Sequence, residues 1–291
     1  MLRKKERKKL YIDVTGSAPP FSVPGKQLES TFHRLLKGLD PKKTKILDFG
    51  AAKLRNTIYL LEKGYTVYSC EFQDLFKRSK QAAEYLAKAK KYNNFKQLIF
   101  PKEFIEFRGR FDAVLLINVL NIMPIALERL AVLALCREKI VNNGRLLWYT
   151  QHGAYSKESN VIKVCDGIAT GKERKYMMFY RDFARKDIHD MLNSTGFSFD
   201  NNFKFPTSGN NQAYVFRPYG PVLVDQSLGL KGMLGYKRKL EEITRKLPKR
   251  KYKTKAPRDV IKTKAVNIDK QYLEELKGIL PGKVKKSFQI S

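Results

Sequence analysis

The stretch KILDFGAAKLRN, residues 45–56, runs an apolar strand into an acid, a glycine and the start of a helix. Downstream, apolar strands alternate with helical stretches as far as Pro218. The expected strands are KILDFGA (45–51), TVYSCEF (66–72), FKQLIF (95–100), FDAVLLINVL (111–120), GRLLWYTQ (144–151), FSFDNNFKF (197–205) and QAYVFRP (212–218). Segments such as AVLLINVL are apolar on both faces, as parallel strands covered by helices must be. The expected helices cover 54–63, 74–91, 124–140 and 181–195. This alternation predicts an α/β fold, a doubly wound and mostly parallel seven-stranded sheet. The loop PTSGNN (206–211) before the last strand is too short for a helical crossover, so that strand is expected to be antiparallel.

The domain so defined spans residues 45–218. Before it, residues 1–44 read as a basic arm, a proline-glycine loop and a leading helix in which Leu28, Phe32, Leu35 and Leu36 share a face. After it, residues 219–291 read as a basic extension, with helices expected near 234–247 and 268–279 and a linker-like stretch, PKRKYKTKAPRDVIKTK, between them. The extension holds 19 Lys/Arg against 7 Asp/Glu, yet the central domain is basic too, because the whole 291-residue chain carries a net charge of +30. A surplus of that size concentrates anions and favours polyanionic partners, nucleic acid first and an anionic membrane surface second. The extension is also expected to offer a surface to a protein partner. Cys70, Cys136 and Cys165 show no CxxC or zinc-like spacing, so no metal is expected and a reducing cytoplasm is, or a nucleus in a eukaryote. The start MLRKKERKKL has no apolar stretch behind it, and no run is long enough to insert in a membrane.

In an open parallel sheet, ligands bind beyond the carboxyl ends of the strands, and the turn after the first strand is the usual place. Asp48 and Gly50 fall on that turn. A dinucleotide frame G-x-G-x-x-G would read Gly50, Ala52 and Arg55, losing two glycines. The frame acid-x-G-x-G-x-G fits better: Asp48 and Gly50 match, Ala52 is the smallest replacement for the second glycine, and Leu54 replaces the third.

This second frame resembles the first motif of the class I S-adenosylmethionine-dependent methyltransferases. The likeness extends over 45–218: Glu71 ends the second strand, FDAVLLINVLNIMP resembles the fourth strand and its loop, and VNNGRLLWYTQ resembles the fifth. The resemblance implies S-adenosylmethionine as cofactor, held by Asp48, Gly50, Ala52, Glu71, Phe72 and Asn118, with Glu71 on the ribose. A carboxylate suits that role because it can accept two hydrogen bonds from a diol. The fourth-strand loop would face the transferable methyl, making Asn118 and Asn121 candidates for holding an acceptor. His152, past the fifth strand, could take a proton from it. Cys136 sits on an apolar helical face and reads as a packed thiol.

The stretch GKERKYMMFYRDFARK (171–186) interleaves charge with rings at a place where related enzymes carry a substrate lid. Lys172, Arg174 and Lys175 could meet phosphates, with Tyr176, Phe179 and Tyr180 stacking on unpaired bases. In the extension, Lys249, Arg250, Lys251 and Lys253 could neutralise phosphates without reading sequence. The sequence thus leads to a methyltransferase acting on nucleic acid, DNA or RNA. An inactive nucleic-acid-binding subunit of the same fold and a small-molecule or protein methyltransferase are the rivals.

Overall fold

The computed structural model describes residues 8–15, 26–151, 161–170, 177–203, 211–224 and 237–242. Its centre is a seven-stranded sheet. In chain order its strands are β2 (Lys45–Phe49), β3 (Thr66–Cys70), β4 (Phe95–Ile99), β5 (Phe111–Ile117), β6 (Ile140–Gln151), β10 (Phe197–Phe199) and β11 (Asn211–Pro218). In space they run β10-β11-β6-β5-β2-β3-β4. All are parallel except β11, which runs against both β10 and β6. That is the doubly wound sheet with an antiparallel last strand that the alternation predicts.

Period-two alternation distributes the strand side chains between two helical layers. Ile46, Leu115 and Leu147 face a core shared with α1 (Lys26–Leu36), α2 (Arg55–Glu62) and α4 (Lys80–Ala89). Leu47, Val114, Leu116, Leu146 and Trp148 face the other core, shared with α5 (Pro101–Glu106), α6 (Ala126–Lys139) and α7 (Arg185–Ser194). Cys136 is fully buried in that second core, and burial raises its thiol pKa, as befits a packed residue.

Several elements differ from the sequence expectation. The helix expected over 74–91 is two, α3 (Gln73–Arg78) and α4, because Ser79 is extended and its hydroxyl caps α4 through Ala82 N. Helix α5 fills the third connection, started by Pro101 at its first turn. The helix expected over 181–195 starts only at Arg185. The chain before it forms a three-stranded antiparallel sheet of β7 (Ile162–Val164), β8 (Gly167–Thr170) and β9 (Met178–Tyr180). The helix expected over 234–247 is instead the site of strand β12 (Lys237–Glu242), paired antiparallel with β1 (Lys8–Asp13). The register sets Leu10 opposite Leu240 and Lys9 opposite Glu241, a long-range pairing that no local periodicity reveals. The expected helix near 268–279 lies outside the described residues.

β1 also joins the small sheet: Ile12 bridges Met177, and Asp13 N donates to Met177 O at 3.0 Å. Ile12, Val14, Val164, Ala169, Met177 and Phe179 make a separate small core, against which Phe72 packs. Phe72 directly follows the carboxyl end of β3, so this cap lies beside the edge where a ligand is expected.

Candidate functional site

The carboxyl ends of β2, β3, β5 and β6 line up in register, with Phe49 opposite Cys70 and Leu116, and Ile117 opposite Tyr149. Gly50, Glu71 and Asn118 follow these ends and therefore sit along one edge. The turn after β2 is tied to β3, since Gly50 N and Ala51 N both donate to Cys70 O, at 2.8 and 3.1 Å. Gly50 has φ +69, and a Cβ there would come within 2.6 Å of Val119 Cγ2. Glycine is required on both counts, by conformation and by the approach of the fourth-strand loop.

Ala52 (φ 48) and Leu54 (φ 59) also adopt the left-handed conformation, although neither is glycine. These are the two positions where the frame resembling methyltransferases carries its second and third glycines. Both hold a backbone conformation that glycine adopts most readily. An L-residue pays roughly 1–2 kcal/mol for this conformation, so surrounding contacts must impose it. Two are visible. Leu54 is fully buried, its side chain filling the core beneath α2. Ala52 N donates to Glu71 Oε2 at 2.7 Å, fixing the loop to the end of β3.

Glu71 is buried, with Oε2 on Ala52 N and Oε1 on Phe72 N, each at 2.7 Å. Burial pushes its pKa up to about 7, outweighing both amide bonds, and Asp48 adds to the rise. Each carboxylate oxygen keeps a second acceptor direction, so the group fits a diol without losing its grip on the loop.

Asp48 has the same parity along β2 as Ile46 and points beneath α2. Its Oδ2 accepts from Thr57 Oγ1 at 2.7 Å, and Thr57 Oγ1 lies 2.8 Å from Ser69 Oγ. Helix α2 begins after Leu54, whose side chain can supply no cap. The Asp48 carboxylate supplies one from the neighbouring strand, holding Thr57 in the first turn. Burial pushes its pKa up to about 6, opposed by the Thr57 bonds and by the Arg55 charge. Arg55 itself is pushed down by burial, and its Nε is buried without a hydrogen-bond partner among the described residues. Asp48 therefore holds the turn after β2 to the first turn of α2 from below.

Asn118 is the third non-glycine residue here in the left-handed region, at φ 54. Its N–H donates to Tyr149 O at 2.8 Å, and its Oδ1 accepts from Gln151 N at 3.1 Å, joining the ends of β5 and β6. Asn121 lies in a 3₁₀ turn, Leu120–Ile122, and is buried. Its carbonyl accepts from Arg181 N at 2.8 Å, while its side-chain Oδ1 has no partner among the described residues.

Tyr180 requires a correction. It lies on β9 with only 3% of its surface exposed, its hydroxyl engaged with Gln151 O and Asp182 Oδ1. A base cannot stack on so enclosed a ring; Tyr180 braces the cap against the sheet edge instead. Phe179 and Phe183 are likewise buried. His152, Lys172, Arg174, Lys175, Tyr176, Lys249, Arg250, Lys251 and Lys253 lie outside the described residues.

Sequence reading missed the network that anchors this cap. The fully buried Arg129 of α6 donates to Met123 O at 2.6 Å and to Asp166 in the β7–β8 turn. Arg181 donates to the same Asp166 oxygen, and both guanidiniums lie over the Phe183 ring. The signal was a lone arginine in ALERLAVLALC, a helix apolar all round, whose charge had to find a buried acid. Among the described residues no group of three or more His, Cys, Asp or Glu could hold a metal, and no helix is long and apolar enough to cross a membrane.

No protein-family model and no curated protein sequence matches the chain. Solved structures do. The PH0226 protein from Pyrococcus horikoshii OT3 superposes with a TM-score of 0.51 at 17% identity, over 69% of this chain and 96% of that one. The CcbJ methyltransferase from Streptomyces caelestis gives 0.50 at 14% identity, over 68% and 91%. The 1,6-didemethyltoxoflavin-N1-methyltransferase of Burkholderia thailandensis, solved with S-adenosylhomocysteine, gives 0.49 at 17% identity, over 67% and 77%. In strand order, strand direction and layering, the chain has the Rossmann-like fold of the class I S-adenosylmethionine-dependent methyltransferases.

Proposed function

We propose that the chain is an S-adenosylmethionine-dependent methyltransferase whose acceptor is nucleic acid. One observation carries the first half: the turn after β2 keeps left-handed backbone at residues 50, 52 and 54, although only the first is glycine. A loop that merely connected a strand to a helix would have no reason to hold two strained L-residues. The lost glycines were the best argument for an inactive module. The bend is nonetheless present at both positions.

When bound, the cofactor supplies an electrophilic methyl group on a sulfonium. The protein's part is to bind and orient. Gly50 lets Val119 pack directly on the turn, holding the fourth-strand loop beside the cofactor edge. Glu71 accepts the ribose hydroxyls with the lone pairs left free by Ala52 and Phe72. Asn121 Oδ1 offers an acceptor for an amine N–H, and Asn118 fixes the loop that presents it. His152 takes the proton released by the acceptor. Positioning of this kind supplies most of the rate in an in-line displacement.

The nucleic-acid half rests on charge. The net +30 extends beyond the two basic ends into the folded domain, as suits a polyanion. The test is transfer of labelled methyl from S-adenosylmethionine to total DNA and total RNA. Nuclease-sensitive, acid-precipitable label is the expected result. Label recovered only in small molecules would refute the acceptor class.

A further inference from the structure

At the amino ends of the strands, opposite the proposed cofactor edge, α1 and α2 enclose an open crevice of about 630 Å³. Its inner wall is apolar and aromatic. Phe32 and Tyr59 stack with ring centroids 5.8 Å apart, and Tyr65, just before β3, adds a third ring. Its rim carries exposed His33, Lys37 and Lys63. Lys63 Nζ sits 5.4 Å from the centre of the Tyr59 ring. Among the described residues Glu29 is the one acid lining the crevice, and it is already engaged, accepting from the Tyr59 hydroxyl at 3.1 Å. The side chains of His33, Lys37 and Tyr65 have no hydrogen bond or ion pair among the described residues. Exposed Lys42 and Lys43 extend the basic surface along the turn before β2.

A half-buried ring with one edge packed on the core, set beside exposed cations, is the chemistry that holds an unpaired base and its phosphates. An acidic peptide would use the cations and leave the ring idle. We propose that this crevice binds a single-stranded segment of nucleic acid, with a base against Tyr65 and phosphates on Lys37 and Lys63. The inference deepens the proposed function by stating what kind of acceptor it requires. β2 runs from Lys45 to Phe49, so at the usual rise the crevice and the cofactor turn are about 16 Å apart or more. The segment held here is not the one methylated. It anchors a polymer whose reactive nucleotide lies at the other end of the sheet, and a mononucleotide cannot reach both.

The test is photocrosslinking of an iodouracil-substituted single-stranded oligonucleotide to the full chain, with mapping of the modified peptides. A crosslink to the 59–65 segment is expected, falling at least tenfold in Tyr65→Leu. In parallel, Lys37→Ala with Lys63→Ala should lower the slope of log affinity against log salt by about 1.4, two phosphates at ~0.7 each. Crosslinks confined to the chain ends, or an unchanged slope, would overturn the inference. So would a mononucleotide or a phosphopeptide that competes as well as the oligonucleotide. The double variant should bind S-adenosylmethionine as the wild type does. If the wild type crosslinks here but binds no cofactor, the methyltransferase reading falls and the crevice stands. If cofactor binds and no crosslink forms, the crevice falls alone.

Discussion

The two ends of one sheet are built on opposite principles. At the carboxyl ends, acids are buried: Asp48 beneath α2 and Glu71 against the turn, both with raised pKa, among residues held at positive φ. At the amino ends, cations are exposed around a shallow aromatic wall, and the turns bend at the glycines Gly38 and Gly64. Burying carboxyl groups and straining backbone cost stability, so the first end is shaped for something that repays the cost on binding. The second end costs little and suits a ligand recognised by charge and a flat ring. The contrast matches the two roles proposed above, a cradle for one small polar molecule and a surface for a polymer.

The sharpest way to break this contrast is Gly50→Ala. The new Cβ meets Val119 and must adopt φ +69, so the two penalties should cost about 3 kcal/mol in urea unfolding. A cost below about 1 kcal/mol would show that the turn is not tightly specified.

Thr57→Val comes next. It removes the hydroxyl shared by Asp48 and Ser69 and leaves a buried carboxyl poorly satisfied, for a loss of about 2 kcal/mol. The Asp48 pKa should rise further, visible by carboxyl NMR titration.

Glu71 makes the contrast depend on pH. Its folded pKa is about 7, above the ordinary carboxylate value of 4.5. Its stabilising contribution is therefore full below the unfolded pKa and lost as pH rises through about 7; for Asp48 the loss comes through about 6. Affinity for the cofactor should move the other way, because only the carboxylate accepts both ribose hydroxyls. Below pH 7 it should weaken by up to about tenfold per unit, and Glu71→Gln should abolish that dependence.

The smallest effect sharpens the contrast instead of breaking it. Ala52→Gly relieves the φ 48 strain at the cost of extra unfolded-chain entropy, for a net gain of about 0.5–1 kcal/mol. Cofactor affinity should not fall.

How much of this was legible follows from the range of the interactions. The doubly wound parallel sheet and the antiparallel β11 came from alternation and loop length, which are local. The turn at Gly50 was legible from residue type, and Glu71 from its place at a strand end. The handedness of Ala52 and Leu54 was hidden, because propensity predicts against it and distant contacts impose it. Strand β12 read as a helix because its partner lies over two hundred residues away, at the other end of the chain. Tyr180 read as a stacking platform because its neighbours in sequence are charged, whereas its burial comes from the cap, whose Asp166 pairs with Arg129 across 37 residues.

The central claim is that the strained turn is a cofactor cradle. It is tested most directly by calorimetric titration of the nucleic-acid-free chain with S-adenosylmethionine, at about pH 8, beside Glu71→Gln shown to be folded. Saturable binding by the wild type, at least tenfold weaker in the variant, is the predicted result. A folded wild-type chain that releases no heat and shows no competition by S-adenosylhomocysteine would contradict it.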